Sequence, residues 1–241
     1  MKHKKLIITL SIILIIFLSM GIALGVYVND YYHSSDDVDV ILNQSDVNIV
    51  DNKYIVFMPK EVKAGLIFYP GGKVEYDAYA PLLDELKDEG ILCILVKMPF
   101  NLAVFGMNKA NKVYEEYMKY TDNWYLAGHS LGGAMAASYL ANNHEKYDGL
   151  FLLGAYSTSN LCDTNLDVSL IYGSLDLVMN KEKYESSKSN LPLDYNEYII
   201  KGGCHAYFGS YGNQANDGSP TITRAEQIDI TCQIIVDEIN N

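Results

Sequence analysis

The sequence predicts an α/β fold: a mostly parallel central sheet with helices on both faces. Three observations carry the prediction. Short apolar runs alternate with helix-like segments from about residue 54 to the C-terminus, as in strands joined by crossover helices. Several runs are apolar throughout rather than at every second position, which is the pattern of strands buried on both faces. A glycine-rich turn, Gly128-His129-Ser130-Leu131-Gly132-Gly133, falls where one such run meets a helix. Ligands in open parallel sheets bind beyond the carboxyl ends of the strands.

Residues 1–28 differ from the rest. Lys2, Lys4 and Lys5 precede 23 uncharged residues, Leu6 to Val28. As a helix this run reaches about 35 Å, enough to cross a hydrocarbon core of about 30 Å. The lysines place its start in the cytoplasm and everything after Val28 outside the cell membrane. The same features fit a cleaved secretory signal, with a small-x-small site at Ala23-Leu24-Gly25. The apolar run continues beyond that site and favours an uncleaved, single-pass anchor. Both readings export the remainder of the chain.

Residues 29–50 are rich in Asp, Ser and Asn and read as a stalk or linker. The domain proper is expected over 51–241. Strands are predicted at Tyr54–Met58, Gly65–Tyr69, Ile91–Lys97, Trp124–Ala127, Gly149–Leu153, Val168–Tyr172 and Tyr195–Ile200. Between and after them, helices are predicted at Tyr79–Asp88, Asn108–Lys119, Leu131–Asn142, Lys181–Asn190 and Thr223–Ile239. Asp88-Glu89-Gly90 and Asn142-Asn143 supply helix ends. No internal repeat or second domain is visible.

The chain is 49% hydrophobic and 20% charged, a globular composition that excludes a disordered bulk. Its net charge is −12; without the three lysines of residues 1–28 the exported part has 15 basic against 30 acidic residues, or −15. Such a surface repels nucleic acid and anionic polymers and argues against polyanionic substrates. Cys93, Cys162, Cys204 and Cys232 are too few and too scattered for a disulfide scaffold, and they lack metal-ligand spacing. Cys93 sits in a strand-like run and reads as core.

The turn at Ser130 has the form G-x-S-x-G between a strand, Trp124–Ala127, and a helix. A nucleophile on so sharp a turn needs neighbours almost without side chains two residues before and two after, which glycine supplies. The turn also sets Ser130 at a helix start, where amide hydrogens favour a developing negative charge. An N-capping serine in a glycine-rich turn is the bland alternative.

A serine hydroxyl needs a general base, and histidine titrates near neutrality. Of five histidines, His3 is in the cytoplasmic tail and His33 in the stalk. His129 belongs to the turn itself, with its side chain expected to point elsewhere, and His144 ends the following helix. His205 remains, in the loop after the last predicted strand. The acid should follow the preceding strand, where Asp176 stands; Asp163 and Asp167 come before that strand and read as turn residues. Two backbone donors should face the carbonyl oxygen. One is the amide of Leu131, and the other is that of Gly72 in Tyr69-Pro70-Gly71-Gly72-Lys73, with Lys73 as the neighbouring alternative.

These segments, with Val96–Ala103, Tyr172–Asp176 and Gly203–Gly209, make the chain resemble the α/β-hydrolase superfamily over roughly residues 54–240. The resemblance is to the small dienelactone-hydrolase-like group known as α/β-hydrolase fold-5. It implies Ser130, Asp176 and His205 as a catalytic triad. Only about a dozen residues separate the strand ending near Gly154 from the next, so no cap domain is expected and the site should be shallow and open. The expected chemistry is cleavage of a small-molecule carboxylic ester through an acyl-enzyme, with no metal or organic cofactor. Acyl transfer or amide cleavage would use the same residues; a membrane-tethered binding module would have no use for a complete triad.

Overall fold

The structure, a computed structural model, describes residues 2–241 without the side chains of residues 2, 3 and 5–8. The basic start expected at Lys2 and Lys5, and the side chain of His3, therefore lie outside the described residues. The chain divides after Tyr31 into two units, the second being Tyr32–Asn241.

The first unit is the helix α1, Lys2–Asn29. Its stretch Thr9–Asn29 has a mean hydropathy of 2.5 and is long and apolar enough to cross a membrane. Leu14, Phe17, Ile22 and Val26 are among its exposed apolar side chains.

In the second unit the apolar runs form strands: β2 Tyr54–Phe57, β3 Ala64–Tyr69, β4 Ile91–Val96, β5 Trp124–His129, β6 Gly149–Leu153, β7 Asp167–Gly173 and β8 Asn196–Ile200. A further strand, β1 Val47–Val50, precedes them. They make one sheet in the order β1-β2-β4-β3-β5-β6-β7-β8. β2 pairs antiparallel with both β1 and β4, whereas β3 to β8 form parallel pairs with their neighbours. The reason for the uninterrupted apolar runs is visible in β3. Leu66 and Phe68 enter one core layer, and Ile67 and Tyr69 enter the other.

The first layer is closed by α3, Ala80–Asp88, and α7, Arg224–Asn240, which pack on each other. The second is closed by α4, Lys109–Tyr117, and α5, Leu131–Leu140, with α6, Lys181–Ser187, beyond them. α7 starts on a capping box between Thr223 and Glu226. Residues 154–166, between β6 and β7, contain no helix or strand, so no cap covers the carboxyl ends of the strands.

Of residues 29–50, expected as a stalk, those from Tyr32 onward belong to this unit. α2, Asp37–Leu42, buries only Val38, and β1 buries only Val47. Polar contacts hold what apolar burial does not: the ammonium of Lys87 in α3 meets Gln44, Asp46 and Asp84. A six-residue helix and an edge strand secured in this way leave little apolar periodicity to read. The four cysteines are free, with Cys93 buried in β4 as expected.

Candidate active site

The residues singled out by the sequence meet at the carboxyl ends of β5, β7 and β8. Ser130 lies between β5 and α5 with φ +52° and ψ −121°, a strained conformation for a residue with a side chain. The turn is held by the Ser130 amide donating to the Leu153 carbonyl at 2.9 Å, and by Ala134 donating back to the Ser130 carbonyl at 3.1 Å. The flanking glycines answer the steric demand. A Cβ on Gly128 would come within 2.6 Å of the Gly132 and Gly133 backbone, and one on Gly132 would strike the carbonyls of Tyr69 and Pro70.

Asp176 and His205 are both buried. Asp176 Oδ2 lies 2.8 Å from His205 Nδ1, and Oδ1 accepts the amides of Val178 at 2.9 Å and Met179 at 2.8 Å. Burial raises the Asp176 pKa, but the hydrogen bond and charge of His205 and the two amides outweigh it, leaving the carboxyl below its ordinary value. An ionised Asp176 fixes the Nδ1–H tautomer and leaves Nε2 as the acceptor. Among the described residues, Nε2 has no hydrogen-bond partner. Ser130 and His205 line one cavity of about 400 Å³, whose walls include Met135, Ala155, Val178 and Met179.

The choice between Gly72 and Lys73 is narrowed by their neighbours. The Lys73 amide donates to the Asn101 carbonyl at 2.8 Å, and that of Gly71 donates to the Tyr79 hydroxyl at 3.0 Å. Gly72 lies between two engaged amides and next to Leu131, whose Cδ2 would be 2.9 Å from a Cβ at position 72. Gly72 and Leu131, the two residues expected to donate, are neighbours in the fold.

Three residues at the site escaped the sequence reading or were misplaced by it. His129 does not point away: its buried ring packs on that of His205, centroids 4.5 Å apart. It points there because β5 is still paired at His129, which partners Leu153. Burial, with the neighbouring His205 adding to it, holds His129 well below the ordinary histidine pKa, so it is neutral. Tyr79 joins the two halves of the site, its hydroxyl accepting the Gly71 amide at 3.0 Å and lying 2.8 Å from His129 Nδ1. Asp217 Oδ2 accepts the amide of Ala206, next to His205, at 2.8 Å, and its Oδ1 accepts that of Leu177, next to Asp176, at 3.4 Å. No motif marks Tyr79 or Asp217, since each acts through a fold contact distant from Ser130 in sequence. His129 adjoins Ser130 and could have been found by carrying strand alternation two residues further, from Ala127 to His129.

The fold and this arrangement define an α/β hydrolase. The profile of the alpha/beta hydrolase family matches residues 65–229, and the chain belongs to that family. Solved structures agree on the fold. The chain is similar to dienelactone hydrolase from Anabaena variabilis, at 12% identity and TM-score 0.58, covering 78% of this chain and 90% of that one. A CIB-like hydrolase from Thermoplasma acidophilum matches at 14% identity and TM-score 0.56, covering 80% and 98%. A monoacylglycerol lipase from Paleococcus ferrophilus matches at 12% identity and TM-score 0.60, covering 77% and 98%. No curated protein sequence matches the chain significantly.

Proposed function

We propose that this hydrolase is a serine esterase acting through an acyl-enzyme. Ser130 attacks the ester carbonyl as His205 Nε2 takes its proton. Asp176 holds the His205 ring and balances the imidazolium. The amides of Gly72 and Leu131 stabilise the oxyanion. His205 then returns the proton to the departing alcohol, and a water repeats the sequence to free the acid. No step calls on a metal or organic cofactor.

The observation that carries this reading is the 2.8 Å Asp176–His205 pair, whose His205 lines one cavity with a strained Ser130. The apolar cavity walls and the acidic chain favour an uncharged small-molecule ester over an anionic polymer. The test is turnover of p-nitrophenyl acetate and butyrate by the full chain. Ser130-dependent turnover is expected; hydrolysis that persists unchanged in Ser130→Ala contradicts it.

We further propose that α1 stays in the membrane as an anchor and that residues 32–241 work on its extracytoplasmic side. The length and hydropathy of Thr9–Asn29 and the preceding lysines support this.

A further inference from the structure

The first residues of the catalytic unit are fastened to the loops that build the site. Tyr32 forms a parallel bridge to Val74: its amide donates to the Lys73 carbonyl, and its carbonyl accepts from Glu75, both at 2.8 Å. The Ser34 amide donates to the Glu75 carboxylate at 3.1 Å. On the other side the Ser35 amide donates to the Ser210 carbonyl at 2.8 Å, and the Tyr32 hydroxyl accepts from Ala215 at 3.0 Å. The chain therefore enters this unit between the Gly71–Glu75 loop and the loop that follows His205.

Asp30 and Tyr31 alone separate α1 from Tyr32. Three residue steps span at most about 10 Å, whatever the setting of the helix. From Tyr32, two hydrogen-bonded steps lead through Lys73 to Asn101, roughly another 10 Å at strand-like spacing. Asn101 of the 99–106 loop is thus joined through Lys73 to Tyr32, the third residue after α1 in the chain.

That loop carries apolar side chains turned to solvent. Phe100 is 59% exposed, Val104 54% and Phe105 56%, and the two phenylalanine rings meet edge to face at 5.8 Å. Phe100 and Asn101 are consecutive non-glycine residues with φ of +57° and +54°. Such strain persists where surrounding structure imposes it, and it concentrates at functional surfaces. Lys109 abuts the loop at Gly106, and its ammonium donates to the Lys97 carbonyl. On a chain of net charge −12, this cation at the loop's border is compatible with lipid phosphates.

We propose that Phe100, Val104 and Phe105 dock into the outer face of the same membrane that α1 crosses, so that the Ser130 cavity takes esters carried by that lipid surface. A bilayer is the occupant that the covalent reach selects. Aromatic side chains at the headgroup level are a common form of interfacial insertion. The proposal rests on α1 being retained as an anchor.

The test uses the full chain in phosphatidylcholine vesicles with brominated acyl chains, which quench nearby tryptophan. Trp124, the native tryptophan, is wholly buried and gives a constant background. Phe105→Trp is the reporter, with Phe100→Trp as the second should the first fail to fold. Leu193→Trp is the control, at a fully exposed position before β8 and hence at the opposite end of the strands. Quenching of the added emission by about half is expected for either reporter, and none for the control. Reporter quenching no greater than that of the control, in vesicles that retain the protein through a carbonate wash, overturns the docking and leaves the anchor standing. Protein released by the wash overturns the anchor and the docking with it.

Discussion

The ring of His129 lies against that of His205, their centroids 4.5 Å apart, and is itself held by the Tyr79 hydroxyl. One buried phenol thereby supports both the loop bearing Gly72 and the histidine beside the proposed base. Tyr79→Phe keeps the ring and removes the hydroxyl, leaving the Gly71 amide and His129 Nδ1 without it. A loss of about 1–3 kcal/mol of stability is expected, together with a kcat about tenfold lower. Denaturant melts and kinetics on a short ester check this. Unchanged kcat in a destabilised variant would reduce Tyr79 to a packing residue.

Asp217 ties the acid loop to the base loop through two backbone amides. In Asp217→Asn only one side-chain oxygen remains, so one of those amides faces an NH2 group instead. The expected result is a kcat reduced about tenfold with little change in KM, since Asp217 does not line the Ser130 cavity. Stability should fall by about 1 kcal/mol. Wild-type kcat would show that each loop holds its place unaided.

Asp176 is the site residue whose protonation has the clearest consequence. Its carboxyl lies below the ordinary 3.8 in the folded state, so it contributes stability above that pH. The contribution is lost as pH falls through the lower folded value. Asp176→Asn should therefore be less stable than wild type at pH 7, with the gap narrowing below about pH 4. At pH 7 its kcat should drop by about 10⁴, because the favoured tautomer of His205 is lost. Melts at both pH values and initial rates at pH 7 decide the matter.

Lys87 provides the converse case, a residue of the fold remote from the chemistry. Burial lowers its pKa, but hydrogen bonds to Asp84 and Asp46 outweigh this and hold it above the ordinary lysine value. Its stabilisation is therefore complete below about pH 10 and is lost as pH rises through the raised value. Lys87→Met should cost about 2–4 kcal/mol at pH 7 and leave kcat on a short ester unchanged. A loss of kcat at full stability would mean that α2 and β1 influence the site.

How far these features were legible in the sequence follows from where their signals lie. β3, β4 and β5 are apolar on both faces, and their runs mark them without reference to any partner. Ser130 is marked by glycines whose absent side chains make room for the turn, a local demand that leaves a local trace. His205 and Asp176 are singled out by their positions after consecutive strands, which the chain order preserves. β1 and α2 left no such trace, because contacts to Lys87, forty residues away, hold them. Asp217 and Tyr79 were hidden for the same reason. His129 was in plain view and was misplaced by assuming that the strand had already ended.

The central claim is that Ser130 is an activated nucleophile. The most direct measurement is labelling of the full chain with a fluorophosphonate probe, with the adduct located by mass spectrometry and Ser130→Ala alongside. A single covalent adduct on Ser130, absent from the variant, is the predicted result. Well-folded wild-type protein that takes no label at Ser130 would contradict the account.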